Sequence, residues 1–421
     1  MERLTVNGGK ALYGCTSVPT SKNAILPIVA ASVMTDGESI IKSCPLLTDV
    51  YTSADIINSI GGRAVLHNGD FCVSYCESDC CTINEELCKK MRSSVLYAAP
   101  ILYRKGKVTL CYPGGCNLGE RKIDIHLAGL QLMGANIECE KDKITITAPH
   151  RLKGIQFRLH TASVGATQTL MMAASTAEGI TILRNCAREP EVVDLARFLK
   201  CAGAKITGAG RGEIIIQGVQ FLNSVEYTPI ADRIFAATIL SAVNACGGMV
   251  FMKNYPTEYM DVFEKLLKDT GLKIVHLSKG ALVVKCYDKA VNIKAHTGCY
   301  PVFSTDMGPL LSSALVNNNG TLTLNEGVFE NRFAYASEFC KLGMSCRINK
   351  NEYFQTIGET VHAADLKASD LRAGAALVVA ALAKRGKYTI EGLEYIDRGY
   401  ERIENTFSAL GGYIRRETFE G

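Results

Sequence analysis

Internal repetition constrains this chain more than any other feature. A helical stretch closed by glycine and followed by a strand-like run occurs six times. The copies read ASVMTDGESIIKS, APILYRKGKVTLC, MMAASTAEGITIL, LSAVNACGGMVFM, SALVNNNGTLTL and VAALAKRGKYTI, around Gly37, Gly106, Gly179, Gly248, Gly320 and Gly386. A second element also occurs six times, as INSIGGRAV, LQLMGANIE, LKCAGAKIT, LKDTGLKIV, CKLGMSCRI and SALGGYIRR, around Gly61, Gly134, Gly203, Gly271, Gly343 and Gly411. Both series step by roughly 70 residues and alternate in register. Glycine behind each helix predicts a cap in the left-handed region. The runs rich in Val, Ile, Thr and Leu predict strands. A unit of this length exceeds a solenoid repeat. Six units predict an α/β architecture of two pseudo-symmetric halves, three units in each.

The same repeat places helix starts about 15 residues before each glycine of the first series. They fall at Ser21-Lys22-Asn23, Lys90-Met91-Arg92, Ser163-Val164-Gly165, Asp232-Arg233, Thr305-Asp306 and Ser369-Asp370-Leu371-Arg372. Ser, Asp and Thr are good N-caps. Lys and Arg at a helix start oppose the helix dipole. A bound anion resolves that opposition, because helix N-termini and basic side chains both attract phosphate or carboxylate.

Whole-chain numbers narrow the partners. The 421 residues suffice for two domains with cores of their own. With 47% hydrophobic and 21% charged residues, the balance is that of a soluble globular protein. A net charge of +4 is too weak to argue for nucleic acid. The N-terminus lacks the basic start and apolar run of a secretory signal. The apolar residues 25–34 are too few to span a bilayer and are interrupted by Pro27. A cytoplasmic protein with no membrane partner is expected. The 17 cysteines read as reduced thiols used as small apolar residues. The crowded run Cys72, Cys76, Cys80, Cys81 and Cys88 matches no zinc spacing, so neither a metal nor an organic cofactor is expected.

Ten segments then carry a resemblance. In order they are SKNAILPI, MRSSVL, PGGCNLGERKIDIHLAGLQLMGA, ASVGATQTLMMAA, AREPEVVDLA, ADRI, TDM, VFENRF, DLRAGAALV and IDRGYERIE. The ordered set resembles the UDP-N-acetylglucosamine 1-carboxyvinyltransferase family of enolpyruvyl transferases, from near residue 1 to the end. The shikimate-pathway enolpyruvyl transferase shares that family's overall fold. The resemblance implies two inside-out α/β barrel domains of three units each, helices inside and sheets outside, with the active site in the interdomain cleft. Residues 22–229 would form the domain carrying Cys116. Residues 1–21 and 230–421 would form a second, discontinuous domain carrying Asp306 and Arg398. The implied substrates are phosphoenolpyruvate and UDP-N-acetylglucosamine, and the implied process is peptidoglycan precursor synthesis.

Residue roles follow from the same resemblance. Lys22 and Asn23 match phosphoenolpyruvate contacts, with the Lys22 ammonium placed to hold phosphate. Arg92 matches an arginine for both substrates. Arg372 and Arg398 match carboxylate and phosphate contacts, which suit the planar guanidinium fork. Cys116, in the glycine-rich loop PGGCNLG, matches the proton donor to the methylene carbon of phosphoenolpyruvate. Arg121 and Lys122 nearby would lower its thiol pKa, whereas a donor must keep its proton, and the two demands stay open. Asp306 matches the carboxylate that helps to remove the proton of the sugar 3-hydroxyl. The uridine diphosphate site would comprise Arg121, Lys122, Ile123, Asp124 and Ile125, then Ser163, Val164 and Gly165, with Val328 lining the sugar. His126 reads either as a hydrogen-bond partner or as a buried, satisfied histidine. Four positions depart from the family pattern: Thr161 for a lysine, Lys122 for a proline, Phe235 for a glutamate, and Gly308 for the glutamine after TDM. They leave nucleotide-sugar choice and rate open.

Overall fold

The computed structural model describes residues 2–76, 79–112, 114 and 123–419. Cys116, Arg121 and Lys122 therefore lie outside the described residues. The described residues from 20 to 230 form one compact unit, and those of 2–19 and 231–419 form another.

Each unit contains three sheets that share one pairing pattern, a parallel pair followed by two antiparallel neighbours, and the unit of residues 20–230 adds a two-stranded parallel sheet, Leu222–Asn223 beside Thr35–Asp36. In the unit containing the chain ends, Ala363–Lys367 runs parallel to Gly386–Glu391, which is followed by Glu2–Gly8 and Tyr413–Thr418. Leu12–Ser17 runs parallel to Gly248–Lys253, followed by Gly280–Lys285 and Leu272–Leu277. Asn292–His296 runs parallel to Thr321–Asn325, followed by Glu352–Ile357 and Met344–Asn349. The other unit repeats the pattern with Gln156–Arg158 beside Ile180–Arg184 and with Glu226–Tyr227 beside Ser39–Ile41. Its remaining sheet, Lys107–Cys111, Lys143–Thr147 and Asn136–Cys139, has an isolated parallel bridge from Thr82 to Thr109 where the others have a strand.

Strand periodicity turns one sheet face inward. In Glu213–Gln217, Ile214 and Ile216 are fully buried while Ile215 between them is exposed. The inward faces cover helices that are apolar all round, as a central helix must be. Leu371–Ala383 is buried along its whole length, and Lys22–Ser32 is buried except at Asn23. Arg233–Cys246, Gly308–Ala314 and Leu371–Ala383 pack on one another at the centre of their unit. Each buried Leu or Ile there contributes about 1.5–3 kcal/mol relative to exposure. Helices within and sheets outside is the arrangement that the resemblance implies.

The glycines divide in a way that the repeat does not show. All six of the second series adopt positive φ, from +82° at Gly343 to +104° at Gly203, in the turn behind a helix. In the first series five of the six also have positive φ, and Gly106 caps Ala98–Lys105 in the left-handed region, but Gly320 has no positive φ. Gly320 is constrained by crowding instead: a Cβ there would lie 1.7 Å from the Val291 carbonyl oxygen, beside the parallel neighbouring strand. The cause is the short helix-to-strand passage, which presses the strand start against its partner.

Among the described residues, no helix is long and apolar enough to cross a membrane. No group of three or more His, Cys, Asp or Glu among them could hold a metal ion.

Candidate active site

The expected helix starts are real. Lys22–Ser32 begins behind Ser21, Val164–Ser175 behind Ser163, Arg233–Cys246 behind Asp232 and Leu371–Ala383 behind Asp370. Ser163 Oγ accepts from the Ala166 N–H at 3.3 Å. Asp232 Oδ1 accepts from Ile234 and Phe235 at 2.8 and 3.0 Å, and Asp370 Oδ1 from Arg372 and Ala373 at 2.9 and 3.0 Å. Each bond satisfies a backbone donor that the helix itself leaves open. Two starts differ. Arg92 opens a 3-10 turn, Arg92–Tyr97, that leads into Ala98–Lys105. Asp306 is the middle residue of the 3-10 turn Thr305–Met307, whose N-cap is Ser304, so Asp306 is not itself a cap.

In the unit of the chain ends, these starts meet in a charged cluster. Asp306 Oδ2 accepts from Arg372 Nε at 3.2 Å, and Asp306 Oδ1 from Arg332 Nη2 at 3.1 Å. Arg332 also donates to the Thr305 carbonyl through Nε and Nη2, at 3.1 and 3.0 Å, and lies 3.6 Å from Asp370. Arg372 reaches the Tyr400 hydroxyl at 3.5 Å, and that hydroxyl pairs with Thr238 at 2.8 Å. Burial alone would raise the Asp306 carboxyl, but the guanidiniums of Arg372 and Arg332, with Arg233 beyond, hold it well below the usual carboxylate range. Asp306 is therefore ionised throughout ordinary pH. At Arg372 the opposition to the helix dipole is met within the protein, by Asp306.

Arg398 is half-buried in the turn after the short helix Leu393–Ile396. Its neighbour Asp397 takes a two-pronged bond from Arg416, at 2.7 and 2.9 Å, and Arg416 also binds Glu404 at 2.8 Å. Arg416 thus fixes the turn that presents Arg398. Glu326, only 3% exposed, accepts from the N–H groups of Val328 and Phe329 at 2.9 and 3.1 Å and from the Thr305 hydroxyl at 2.9 Å. One carboxylate therefore ties the exposed Val328 to the turn of Asp306. Phe235, the departure at the next helix start, packs its ring 6.2 Å from that of Tyr400. At Gly308 a Cβ would approach Leu324 to 3.0 Å, tight for any larger residue.

In the other unit, Lys22 is buried and paired with Asp49 at 2.8 Å, so its charge too has an internal counterion. Asn23 is half-buried beside it. Ile123 and Ile125 are buried at the start of Asp124–Leu132, while Asp124 is exposed, 3.7 Å from His160. Their side chains hold this helix start in place, and only Asp124 is turned outward. Thr161 contributes its carbonyl, which accepts from the Ser163 N–H at 2.8 Å.

His126 lies against the start of Val164–Ser175: a Cβ on Gly165 would come within 3.0 Å of its Nε2. It is 5% exposed, and among the described residues neither ring nitrogen has a hydrogen-bond partner. Among those residues, then, the histidine is buried without a partner. Burial first, then the Arg92 charge, pushes the imidazole down to about 4. The unfolded chain takes up this proton near the ordinary histidine value and the folded chain only near 4. Stability present above about pH 6.5 should therefore be lost as pH falls towards 4, by on the order of 3 kcal/mol. Urea midpoints at pH 7 and pH 5 should differ much less in His126→Phe than in the parent. An equal difference in both would show that His126 titrates freely.

Asp49, Glu326, Arg332 and Arg416 are the residues that sequence reasoning passed over. Arg332 stands inside the quoted VFENRF segment, but nothing in a single sequence tells a buried arginine from a solvated one.

UDP-N-acetylglucosamine 1-carboxyvinyltransferase 2 of Caldanaerobacter subterraneus subsp. tengcongensis is 37% identical over 418 residues, covering 99% of this chain and 100% of its own. The chain belongs to this family. A protein of the same name from Carboxydothermus hydrogenoformans is 39% identical over 417 residues, 99% of each chain. The EPSP synthase (3-phosphoshikimate 1-carboxyvinyltransferase) family model matches residues 6–407. The enolpyruvyl transferase NikO from Streptomyces tendae superposes with a TM-score of 0.89 at 22% identity, over 100% of this chain and 99% of that one. EPSP synthase from Acinetobacter baumannii follows at 0.76 and 18%, over 100% of both chains. These two likenesses show the enolpyruvyl transferase fold.

Proposed function

We propose that this protein transfers the enolpyruvyl group of phosphoenolpyruvate to the 3-hydroxyl of UDP-N-acetylglucosamine, releasing phosphate, in the first committed step of peptidoglycan precursor synthesis. The observation that carries this reading is full-length identity of 37–39% with transferases named for that acceptor. The basic residues at the helix starts support it, because both substrates are anionic, and Asp306 supplies a carboxylate for the acceptor hydroxyl.

On this reading Lys22, Asn23, Arg92, Arg372 and Arg398 hold phosphoenolpyruvate, with the cations on its phosphate and carboxylate. Ser163, Val164 and Gly165, with Arg121, Lys122, Ile123, Asp124 and Ile125, hold the uridine diphosphate. The N–H groups at the start of Val164–Ser175 suit that anion. Asp306 takes the proton of the sugar 3-hydroxyl as its oxygen bonds to the central carbon of phosphoenolpyruvate. Cys116 gives a proton to the methylene carbon. Because the product keeps a double bond, one methyl proton must leave again as phosphate departs. Lys22 would stabilise the charge on the leaving phosphate. The partners are these two small molecules alone, and the reading places the protein in the cytoplasm.

Phosphate should be released only when phosphoenolpyruvate and UDP-N-acetylglucosamine are both present. Equal release with shikimate 3-phosphate as acceptor would sink the acceptor assignment. Release with a different UDP-sugar only would point to a divergent transferase. No release with any acceptor, despite UDP-sugar binding by calorimetry, would point to a silent binding protein.

A further inference from the structure

We propose that Cys340 and Cys346 form a reversible redox site, at which a hydroperoxide converts two neighbouring thiols into an intramolecular disulfide. Neither cysteine is among the residues assigned to the substrates above. The site gives two of the 17 cysteines a use beyond that of small apolar residues.

The repeat brings the two side chains together. Cys340 stands three residues before Gly343, in the last turn of Ala336–Lys341, and Cys346 stands three residues after it, in Met344–Asn349. In other copies of the unit the residue at the first position reaches the residue at the second. Around Gly61, Asn58 Oδ1 accepts from the Ala64 N–H at 2.8 Å. Around Gly411, Ser408 Oγ donates to the Ile414 carbonyl at 3.0 Å. The copies around Gly134, Gly203 and Gly271 carry Gln131 with Ile137, Lys200 with Ile206 and Lys268 with Ile274. The copy around Gly343 alone has a thiol at both positions. There the two sulfurs are close enough to interact directly. Cys340 is exposed and Cys346 half-buried, so a small oxidant reaches the pair from one side. Cys88 and Cys111 also interact, but both are buried and are shielded from a solute.

The surroundings divide the two steps between the two thiols. The Tyr353 hydroxyl donates to Gln355 Oε1 at 2.7 Å, so across the 3.2 Å between Tyr353 and Cys346 the thiol is the donor. The Cys346 S–H is thereby turned to Tyr353, and a sulfur lone pair is left for Cys340. Burial pushes the Cys346 thiol up to about 12, so it does not attack solutes unaided. The exposed Cys340 reacts first. Its thiolate attacks one peroxide oxygen and the O–O bond breaks. The other oxygen leaves as water or alcohol, taking up the proton that the thiol released, and Cys340 becomes a sulfenic acid. The Cys346 sulfur then displaces hydroxide from the Cys340 sulfur, and the Cys346 proton joins that hydroxide as water. The two thiols give up two electrons, which reduce the peroxide. Contact between the sulfurs gives the second step a high effective concentration, so it outruns the addition of a second oxygen. In the cytoplasm proposed above, such a bond is transient and is reversed by thiols.

The test treats the full-length protein with hydrogen peroxide and maps its cysteines by mass after a non-reducing tryptic digest. Cleavage after Lys341 places Cys340 in the peptide of residues 333–341 and Cys346 in that of residues 342–347. The disulfide therefore holds together two peptides that otherwise separate. We expect this cross-link to form at least about tenfold faster than any other between cysteines, and to disappear with dithiothreitol. In Cys346→Ser, the peptide of residues 333–341 should instead gain two or three oxygens, because nothing intercepts the sulfenic acid. Should that variant fail to fold, Cys340→Ser, at an exposed position, replaces it. Cys346 should then stay a free thiol under the same peroxide, and its oxidation at the parent rate would overturn the proposal. Parent protein whose Cys340 passes to sulfinic acid while Cys346 stays reduced would also overturn it. So would a Cys340 that does not react, or a cross-link that forms no faster than those among the other cysteines.

Discussion

Asp306→Asn should lower kcat by on the order of 10²-fold or more while UDP-N-acetylglucosamine binding is retained. Asparagine keeps the shape of the side chain and one oxygen to accept from Arg332. It cannot take a proton. The parent carboxylate lies between two guanidiniums at 3.1 and 3.2 Å, so at working pH it is always ionised. That makes it available to take a proton, though weakly basic. Removing its charge leaves two buried arginines facing each other without their counterion, which should cost on the order of 1–3 kcal/mol of stability. Turnover must therefore be measured well below the variant's unfolding temperature. The decisive pair of measurements is phosphate release under saturating substrates and calorimetric titration with the UDP-sugar. Binding lost while kcat stays normal would make Asp306 a ligand contact and not the base.

What was legible in the sequence follows from what repeats. The six glycine pairs mark helix ends, and counting back from them finds the helix starts at Lys22, Ser163, Arg233 and Leu371. The α/β class and the two halves of three units were legible for the same reason, whereas the inside-out barrel was implied by the resemblance. Strand partners were not legible. Leu12–Ser17 pairs with Gly248–Lys253, and Glu2–Gly8 lies between Gly386–Glu391 and Tyr413–Thr418. No local signal spans such separations. The internal counterions were hidden likewise: Asp49 pairs with Lys22 across two helices, and Asp306 with Arg372 across 66 positions. Cations at helix starts invite an anion, but a sequence cannot say whether that anion is a ligand or the protein's own carboxylate. The structure shows the protein's own at Lys22 and at Arg372. His126 illustrates a further limit. Its neighbours in sequence show burial, whereas its packing against Gly165, a residue of another helix, is set by the fold.

Cys116 should be the thiol most reactive towards the epoxide fosfomycin, and more so with UDP-N-acetylglucosamine bound. The resemblance implies both the alkylation and its position, since family members with aspartate at this loop position resist the drug. The chemistry of the other thiols supports the selectivity. Burial pushes the thiols of Cys186, Cys246 and Cys346 up to about 12, and those of Cys72, Cys88 and Cys111 upward too. A thiol that holds its proton is a poor nucleophile. Exposed cysteines such as Cys15, Cys201 and Cys286 are reachable. Reach alone does not gather a phosphonate, however, and none of these three is among the residues proposed to hold an anion. Around Cys116 the sequence sets two glycines before it and Arg121 and Lys122 after it, a surround that admits an anion and eases thiolate formation. Bound nucleotide sugar should raise the local rate by orienting the drug, as it would orient phosphoenolpyruvate. The experiment maps the adduct by mass with and without the UDP-sugar, in the parent and in Cys116→Asp. A single adduct at Cys116 that grows with the sugar and vanishes in the variant is expected. Labelling spread over many cysteines, indifferent to the sugar, or unchanged in Cys116→Asp would reduce Cys116 to one more structural thiol and remove the proton donor from the proposed mechanism.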